Sequence, residues 1–225
     1  MLTESMINIL IDKQDTCEII RDQLAAILAI EIAHQAELAE DSGKNVDDFY
    51  FSVYSECSNP WEVDEMPLVN ISFDNDRFDN KNSDLLSRQR ATGTFYLDCY
   101  ANKKTTDADS GDELSTREAV RIARFVRNII MSNEYTYLLL GTRELGADSS
   151  LITRRRISRR EVFKPDIKAE NYENVVACRL TLEVDYDEFA PQTVMTDLEL
   201  LILQCEQEDT GKVNFNAEYD LKEGV

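Results

Sequence analysis

Histidine and glycine are scarce in this chain, and their scarcity argues against several kinds of catalytic site. The 225 residues include one histidine and seven glycines. So few glycines provide no spacing that resembles a phosphate-binding loop or a dinucleotide fingerprint. The histidine, His34, falls within a predicted helix, where a surface or packed histidine is expected more often than a catalytic one. We therefore predict that the protein is not an enzyme and binds no cofactor.

Long hydrophobic runs are also missing. The longest nearly apolar run covers residues 24–33 and contains Glu31, whereas a helix that spans a bilayer needs about 20 apolar residues. The start of the chain, MLTESMINIL, shows neither a basic segment ahead of an apolar stretch nor a small-residue cleavage site. We therefore expect no membrane partner, no secretory signal and a location in a cytoplasm.

Cysteines are few and widely spaced. Five are present, and neighbouring ones lie at least 27 residues apart: Cys17, Cys57, Cys99, Cys178 and Cys205. An odd number at these spacings fits neither a disulfide framework nor paired zinc ligands. They are predicted to be small buried hydrophobic residues in a reducing compartment.

Basic residues are outnumbered by acidic ones, 24 to 44, which gives a formal net charge of −20. A protein that grips nucleic acid over a broad surface needs clustered lysine and arginine, so this balance argues against such a function. The charge is uneven, however. Residues 141–164 carry seven basic and three acidic residues, whereas residues 183–225 carry twelve acidic and two basic ones. Two segments of opposite sign could attract each other between copies of the chain.

Two amphipathic helices are predicted from the spacing of apolar residues. The first covers residues 15–40, and its apolar stripe consists of Ile20, Leu24, Ile27 and Leu28. The second is predicted to begin near Ser115, because Ser115 and Glu118 match the capping box, in which the two side chains satisfy free amides at the helix start.

Alternating apolar residues predict a series of strands, and residues 74–90 between two of them are predicted to form a long, polar, mobile excursion. The strands are expected at residues 49–56, 68–73, 91–101, 152–163, 175–186, 198–206 and 213–221. Together these elements predict an α+β fold, with an antiparallel or mixed β-sheet, two helices packed on one face and a C-terminal β-hairpin. We predict one domain over residues 1–189 and a hairpin extension over residues 190–225.

Arginines are concentrated in two of these elements. Those of the second helix recur at spacings of four, three and three: Arg117, Arg121, Arg124 and Arg127. The strand at residues 152–163 holds five within seven residues: Arg154, Arg155, Arg156, Arg159 and Arg160. With strict alternation, Arg154, Arg156 and Arg160 would share one face of the sheet, and Arg155 and Arg159 the other.

Five neighbouring arginines repel one another, so something must neutralise or solvate them. One interpretation is a solvated edge strand whose charges discourage unwanted pairing. The other is a subunit interface in which acids of a neighbouring copy, such as those of its C-terminal segment, face the arginines. The interface hypothesis assigns eight arginines to subunit contacts: Arg117, Arg121, Arg124, Arg154, Arg155, Arg156, Arg159 and Arg160.

One carboxylate pattern resembles the magnesium site of a nuclease without completing it. Asp166, Glu183 and Asp185 could hold a metal ion. The lysine that such a motif needs, two residues beyond the second acid, is replaced by Asp185 or Asp187. Solvent-facing acids on a strand explain the pattern more simply.

A second pattern resembles a calcium-binding loop. Asp107, Asp109 and Glu118 occupy positions 1, 3 and 12, but Asp112 stands at position 6, where the loop needs glycine. A solvated acidic loop is the simpler interpretation, and no metal ligand is predicted.

The order of predicted elements resembles that of the tail terminators and related neck or tail-completion proteins of tailed bacteriophages. The matching elements are an N-terminal helix, a strand, a proline-led strand at residues 66–71, a strand at residues 93–101, an arginine-bearing helix and a late strand at residues 179–184. The resemblance covers roughly residues 1–189, and it is a pattern of elements rather than a set of invariant residues.

This resemblance implies a virion structural protein that forms a ring, commonly a hexamer, on the head-proximal end of the tail tube. Such a ring ends tube polymerisation and joins the tail to the head connector. The implied partners are further copies of the chain, the tail tube and head-connector or neck proteins, with the tail sheath as another candidate. DNA would pass through an acidic lumen without sequence-specific binding. The implied location is the virion tail or neck, and the host cytoplasm during assembly.

Two alternatives remain open. The chain is longer than a minimal terminator, so it could be another neck, sheath-adjacent or baseplate component. Its acidity also suits a non-virion adaptor that mimics DNA or binds a basic partner.

Overall fold

A computed structural model describes residues 14–60, 66–79, 88–140, 151–166, 174–189, 200–206 and 213–220. The chain divides into two units: Lys13–Ala190, which we call the main unit, and a second one that comprises Pro191–Val225 with Met1–Asp12. The predicted domain boundary at residues 189 and 190 stays a prediction.

The main unit is built on one five-stranded mixed sheet. In chain order, its elements are α1 (Thr16–Asp41), β1 (Ser52–Ser55), β2 (Leu68–Phe78), β3 (Arg88–Asn102), α2 (Gly111–Ile130), β4 (Ile152–Phe163) and β5 (Val175–Phe189). Short 3-10 turns cover Val46–Phe49 and Asn133–Tyr135. The strand order is β1-β2-β3-β5-β4; β1 runs parallel to β2, and the other neighbours are antiparallel. The prediction of an α+β fold with a mixed sheet and two helices is confirmed.

Both helices pack against the same face of this sheet. The predicted stripe of α1 is at most 1% exposed to solvent at all four positions: Ile20, Leu24, Ile27 and Leu28. It joins buried residues of α2, such as Ile122 and Val126, and alternate side chains of the central strands, such as Phe95 and Leu182, in one cluster. Alternate residues of a strand point to opposite faces, so the intervening residues lie on the other face, which we call the open face.

The second helix begins earlier than its predicted start. It starts at Gly111, and the Ser110 hydroxyl accepts a hydrogen bond from the amide of Glu113 at 3.3 Å. Ser115 is fully buried within the helix, where its hydroxyl accepts from the amide of Lys103 at 2.8 Å. Ser110 and Glu113 have the same serine-to-glutamate spacing as the predicted pair. The spacing alone therefore could not decide between the two starts.

The polar excursion predicted at residues 74–90 is partly wrong, because strands occupy both of its ends. β2 continues to Phe78 and β3 begins at Arg88. The amide of Asp79 still donates to the carbonyl of Arg90 at 2.8 Å, so the two strands remain paired to this point. Residues 80–87 lie outside the described part of the chain. The polar residues at the end of β2 show no alternation of apolar side chains, and they form a strand because they pair with β3.

Four cysteines have described side chains, and all of them are free thiols: Cys17, Cys57, Cys99 and Cys178. Cys99 and Cys178 are fully buried, as predicted, and lie opposite each other on the neighbouring strands β3 and β5 as free thiols. Burial raises the pKa of the Cys99 thiol well above its ordinary value, so this thiol stays protonated and unreactive. Cys17 and Cys57 are only half-buried.

The second unit contains strands β6 (Leu200–Glu206) and β7 (Val213–Asp220). They pair in antiparallel fashion, from Leu200 opposite Asp220 to Glu206 opposite Val213. Residues 207–212, which connect them in the predicted hairpin, lie outside the described residues.

Candidate interaction surface

β4 forms one edge of the five-stranded sheet, and two irregularities decide where its arginines point. Its pairing with β5 shifts in register between Ile152 and Arg154 and again between Ile157 and Arg159. Such a bulge adds one residue to a strand and reverses the face on which the following residues lie. The second bulge therefore moves Arg159 and Arg160 to the faces opposite those predicted.

Direct pairing partners on adjacent strands share a face of the sheet. On the open face, Arg154, Arg156 and Arg159 lie opposite Asp185, Glu183 and Thr181, respectively. On the helix side, Arg155 and Arg160 lie opposite the buried Val184 and Leu180. The prediction grouped Arg160 with Arg154 and Arg156, and this grouping is wrong because it assumed strict alternation.

Arg155 binds the end of α2 in the same chain. Its Nε donates to the carbonyl of Ile130 at 2.7 Å, and a terminal nitrogen donates to the carbonyl of Ser132 at 2.5 Å. The last carbonyls of a helix lack intrahelical partners and carry partial negative charge, so a guanidinium is well suited to them. Burial lowers the pKa of Arg155. The sequence analysis missed this role, because helix and strand become neighbours only in the folded chain.

Two further arginines of β4 pair with acids of the same chain. Nε of Arg156 donates to the Glu183 carboxylate at 2.7 Å, and this hydrogen bond holds the pKa of Glu183 below its usual range. Arg159 forms an ion pair with Glu161 at 2.6 Å. Part of the charge attraction expected between copies is therefore satisfied within one copy.

The arginines of α2 fall into two groups. Arg121 bonds Glu118 at 2.8 Å, and this bond lowers the pKa of Glu118. Arg117 bonds Glu113 at 2.5 Å. These contacts between residues three or four positions apart stabilise the helix locally. Arg124 and Arg127 are exposed, and neither forms an ion pair with any described residue.

In α2 and β4, four arginines are thus exposed without an ion-pair partner among the described residues, and we call them the basic edge: Arg124, Arg127, Arg154 and Arg160. Contacts at both ends place α2 alongside β4. Arg155 reaches the C-terminal end of the helix, and Nζ of Lys164 lies 3.1 Å from Asp112 in its first turn. The basic edge therefore combines the outer side of a helix with the edge strand beside it.

A buried ion pair between Asp98 and Arg179 lies at the centre of the open face. Asp98 is 3% exposed and accepts two hydrogen bonds from Arg179, both at 2.7 Å. The Arg179 guanidinium also lies 4.0 Å from the ring centre of Tyr96 and 5.1 Å from that of Phe163. Its pKa is raised, first by the hydrogen bond to Asp98. The one available signal in the sequence was a charged residue flanked by apolar ones on each strand.

The residues considered for catalysis do not assemble into a site. The His34 side chain is 57% exposed, with its nearest carboxylate, Glu31, at 3.9 Å. Glu183 is bound to Arg156, while Asp185 accepts from Thr92 at 2.8 Å. Within the described ranges, no three histidine, cysteine, aspartate or glutamate side chains form a group that could hold a metal ion.

Two acids of the calcium-like pattern contact different arginines instead of sharing one site. Asp109 lies 3.7 Å from Arg117, and Glu118 bonds Arg121. Across the helices that the structure describes, none is long and apolar enough to cross a membrane.

No protein-family model matches the chain, and no curated protein matches its sequence.

Proposed function

We propose that this protein is a virion structural protein of a tailed bacteriophage, which forms a hexameric ring at the head-proximal end of the tail. The ring would end tube polymerisation and join the tail to the head connector. The observation that carries the proposal is the order of elements. A helix, three strands, an arginine-bearing helix and two further strands follow one another, which is the order on which the resemblance to tail terminators rests.

One fold can serve many functions, so the order of elements needs independent support. The surface charge provides it. A ring needs two different surfaces that bind each other, so that each copy binds the next. The basic edge offers one such surface on a chain whose net charge is −20. The remaining acidic surface would repel the phosphates of DNA, so DNA could pass through the lumen without adhering.

The C-terminal strands belong to the same proposal. We assign residues 1–189 to the terminator-like domain and residues 190–225 to a β-hairpin extension that contains β6 and β7. The extension would act as an arm between subunits. Deleting residues 190–225 should leave a folded protein that assembles less well, which circular dichroism and light scattering would measure.

The mass of the purified protein in solution tests the proposal. Size exclusion coupled to light scattering, at low and moderate salt, should give a closed hexamer, and electron microscopy should show rings. Purified tail tubes then provide the functional readout, because the protein should cap one tube end and stop elongation. A monomer that neither caps nor binds tubes would overturn the proposal.

An acidic adaptor outside the virion is the second candidate, and the net charge of −20 favours it. Such a protein should be monomeric or dimeric and should bind a cationic protein. Its affinity should fall steeply with salt, because exposed charges are screened over about 8 Å at physiological ionic strength. Binding to histones or protamine at 50 and 300 mM salt would distinguish the two candidates.

A further inference from the structure

The two edges of the main sheet differ in charge. Residues 14–60, which contain α1 and β1, carry ten acidic and two basic residues. Residues 152–164, which contain β4, carry six basic residues and one acidic residue. We call the side formed by α1 and β1 the acidic edge. Among its charges, Glu37 and Glu40 are exposed and form no ion pair with any described residue.

The sheet order keeps these two edges apart in one copy. β1 and β4 are the outermost strands, with β2, β3 and β5 between them. α1 contacts mainly β1 and β2, whereas α2 contacts mainly β3 and β5 and contacts β4 less. The Phe125 ring of α2 also lies 6.0 Å from the Phe51 ring beside β1, so only the two outermost strands are far apart. Four strand spacings amount to about 19 Å, roughly twice the screening length in physiological salt. The unpaired arginines of β4, Arg154 and Arg160, therefore cannot be neutralised by the acidic edge of their own chain.

β4 also has the properties of a strand that can accept a neighbour. Within the described sheet it pairs only with β5. Seven of its twelve side chains are exposed, and they include Val162, a large apolar residue that is 48% exposed. The outer side of an edge strand presents a row of backbone donors and acceptors. Charge, apolar contact and backbone hydrogen bonding are thus offered together on the basic edge.

We infer that the basic edge of one copy binds the acidic edge of the next copy, head to tail. The inference rests on the self-association in the proposed function, and it names the surfaces that meet. Because the two surfaces differ, the contact is heterologous: it leaves one free basic edge and one free acidic edge at every stage until the ring closes. A symmetric dimer would instead bring like charges together.

Reciprocal charge reversal tests this pairing. Arg154→Glu with Arg160→Glu reverses the basic edge, and Glu37→Lys with Glu40→Lys reverses the acidic edge. None of the four side chains forms an ion pair with a described residue, so the variants should fold. As a control matched to the basic-edge variant, Lys103→Glu with Lys104→Glu changes the net charge by the same amount and sign just after the end of the central strand β3. Self-association is measured by sedimentation velocity at low salt and at 0.5 M salt.

Each edge variant should raise the dissociation constant for self-association roughly tenfold or more, because several exposed pairs become repulsive. The four-fold variant, in which both edges are reversed, should recover most of the wild-type association. The lysine control should associate as the wild type does. High salt should reduce the differences between all variants.

The other outcomes separate this inference from the proposed function. If the protein forms rings that both edge variants leave unchanged, the edge pairing is wrong and the ring proposal stands. If the charge-reversal pattern appears but the products are open chains that do not cap tail tubes, the edge pairing stands and the terminator function is wrong. If the wild type stays monomeric at low salt and high concentration, the edge pairing is overturned.

Discussion

Replacing Asp98 with asparagine should lower the free energy of unfolding by about 2–4 kcal/mol, because it leaves the charge of Arg179 without its counterion. Removing one partner of a fully buried ion pair costs roughly 3–5 kcal/mol. The cost here should lie towards the lower end, since the Arg179 side chain is 27% exposed and water can partly solvate it. Asparagine preserves the shape and one hydrogen-bond acceptor, so the loss reports charge rather than a cavity. Urea denaturation followed by circular dichroism measures it.

The same sheet provides a matched control in the pair of Arg156 and Glu183. Here too an arginine and an acid lie opposite each other on adjacent strands, but the Arg156 side chain is 51% exposed. Exposed pairs contribute about 0.2–1 kcal/mol. Glu183→Gln should therefore cost well under half as much as Asp98→Asn. Equal losses in the two variants would refute the argument that burial sets the energy of these pairs.

A double-mutant cycle then isolates the interaction itself. Arg179→Met keeps much of the contact with Tyr96 and removes the positive charge. The double variant with Asp98→Asn should be less destabilised than the sum of the single variants, because neither charge is then left unpaired. Strict additivity would mean that the two residues act through their separate packing.

Three further predictions concern single contacts. Arg155→Met should cost about 1–2 kcal/mol in urea denaturation, since the last carbonyls of α2 lose their donor. Glu118→Gln should cost about 0.5 kcal/mol at pH 7. Because Arg121 lowers the pKa of Glu118 in the folded state, this contribution is present above the ordinary pKa of 4.5 and disappears as the pH falls through the lower folded value; denaturation at pH 7 and pH 3 checks it. Gly93→Ala should cost about 1–3 kcal/mol in thermal unfolding, because the new Cβ would lie 2.9 Å from the Tyr186 ring.

Local patterns predicted the elements well where one face is apolar. α1 was expected at residues 15–40 and covers Thr16–Asp41, and β5 was expected at residues 175–186 and covers Val175–Phe189. The local patterns failed where polar residues form the ends of strands. The ends of β2 and β3 are stabilised by contacts between residues far apart in sequence, such as the hydrogen bond that Tyr186 donates to Asp76 at 3.2 Å and the ion pair of Arg90 with Asp187 at 3.4 Å.

The candidate interaction surface could be predicted only in part from the sequence. The sequence shows that arginines cluster in two segments, but not which of them are already bound within the chain. Arg155 and Arg156 lie next to each other in the sequence, yet one binds a helix end and the other an acid on the open face. A bulge of one residue after Ile157 then changes the faces on which Arg159 and Arg160 lie. No residue type in this segment predicts that bulge.

By itself, the sequence determined the class of fold, the buried stripes of the helices and the excess of acidic charge, because these depend on composition and on periods of two to four residues. Only the tertiary structure decided which strands became neighbours. That order brings Asp98 to Arg179, 81 residues away, and sets β4 and β1 at opposite edges of the sheet. The physical reason is that periodicity specifies which side of a segment is buried, whereas packing of the whole chain specifies what it is buried against.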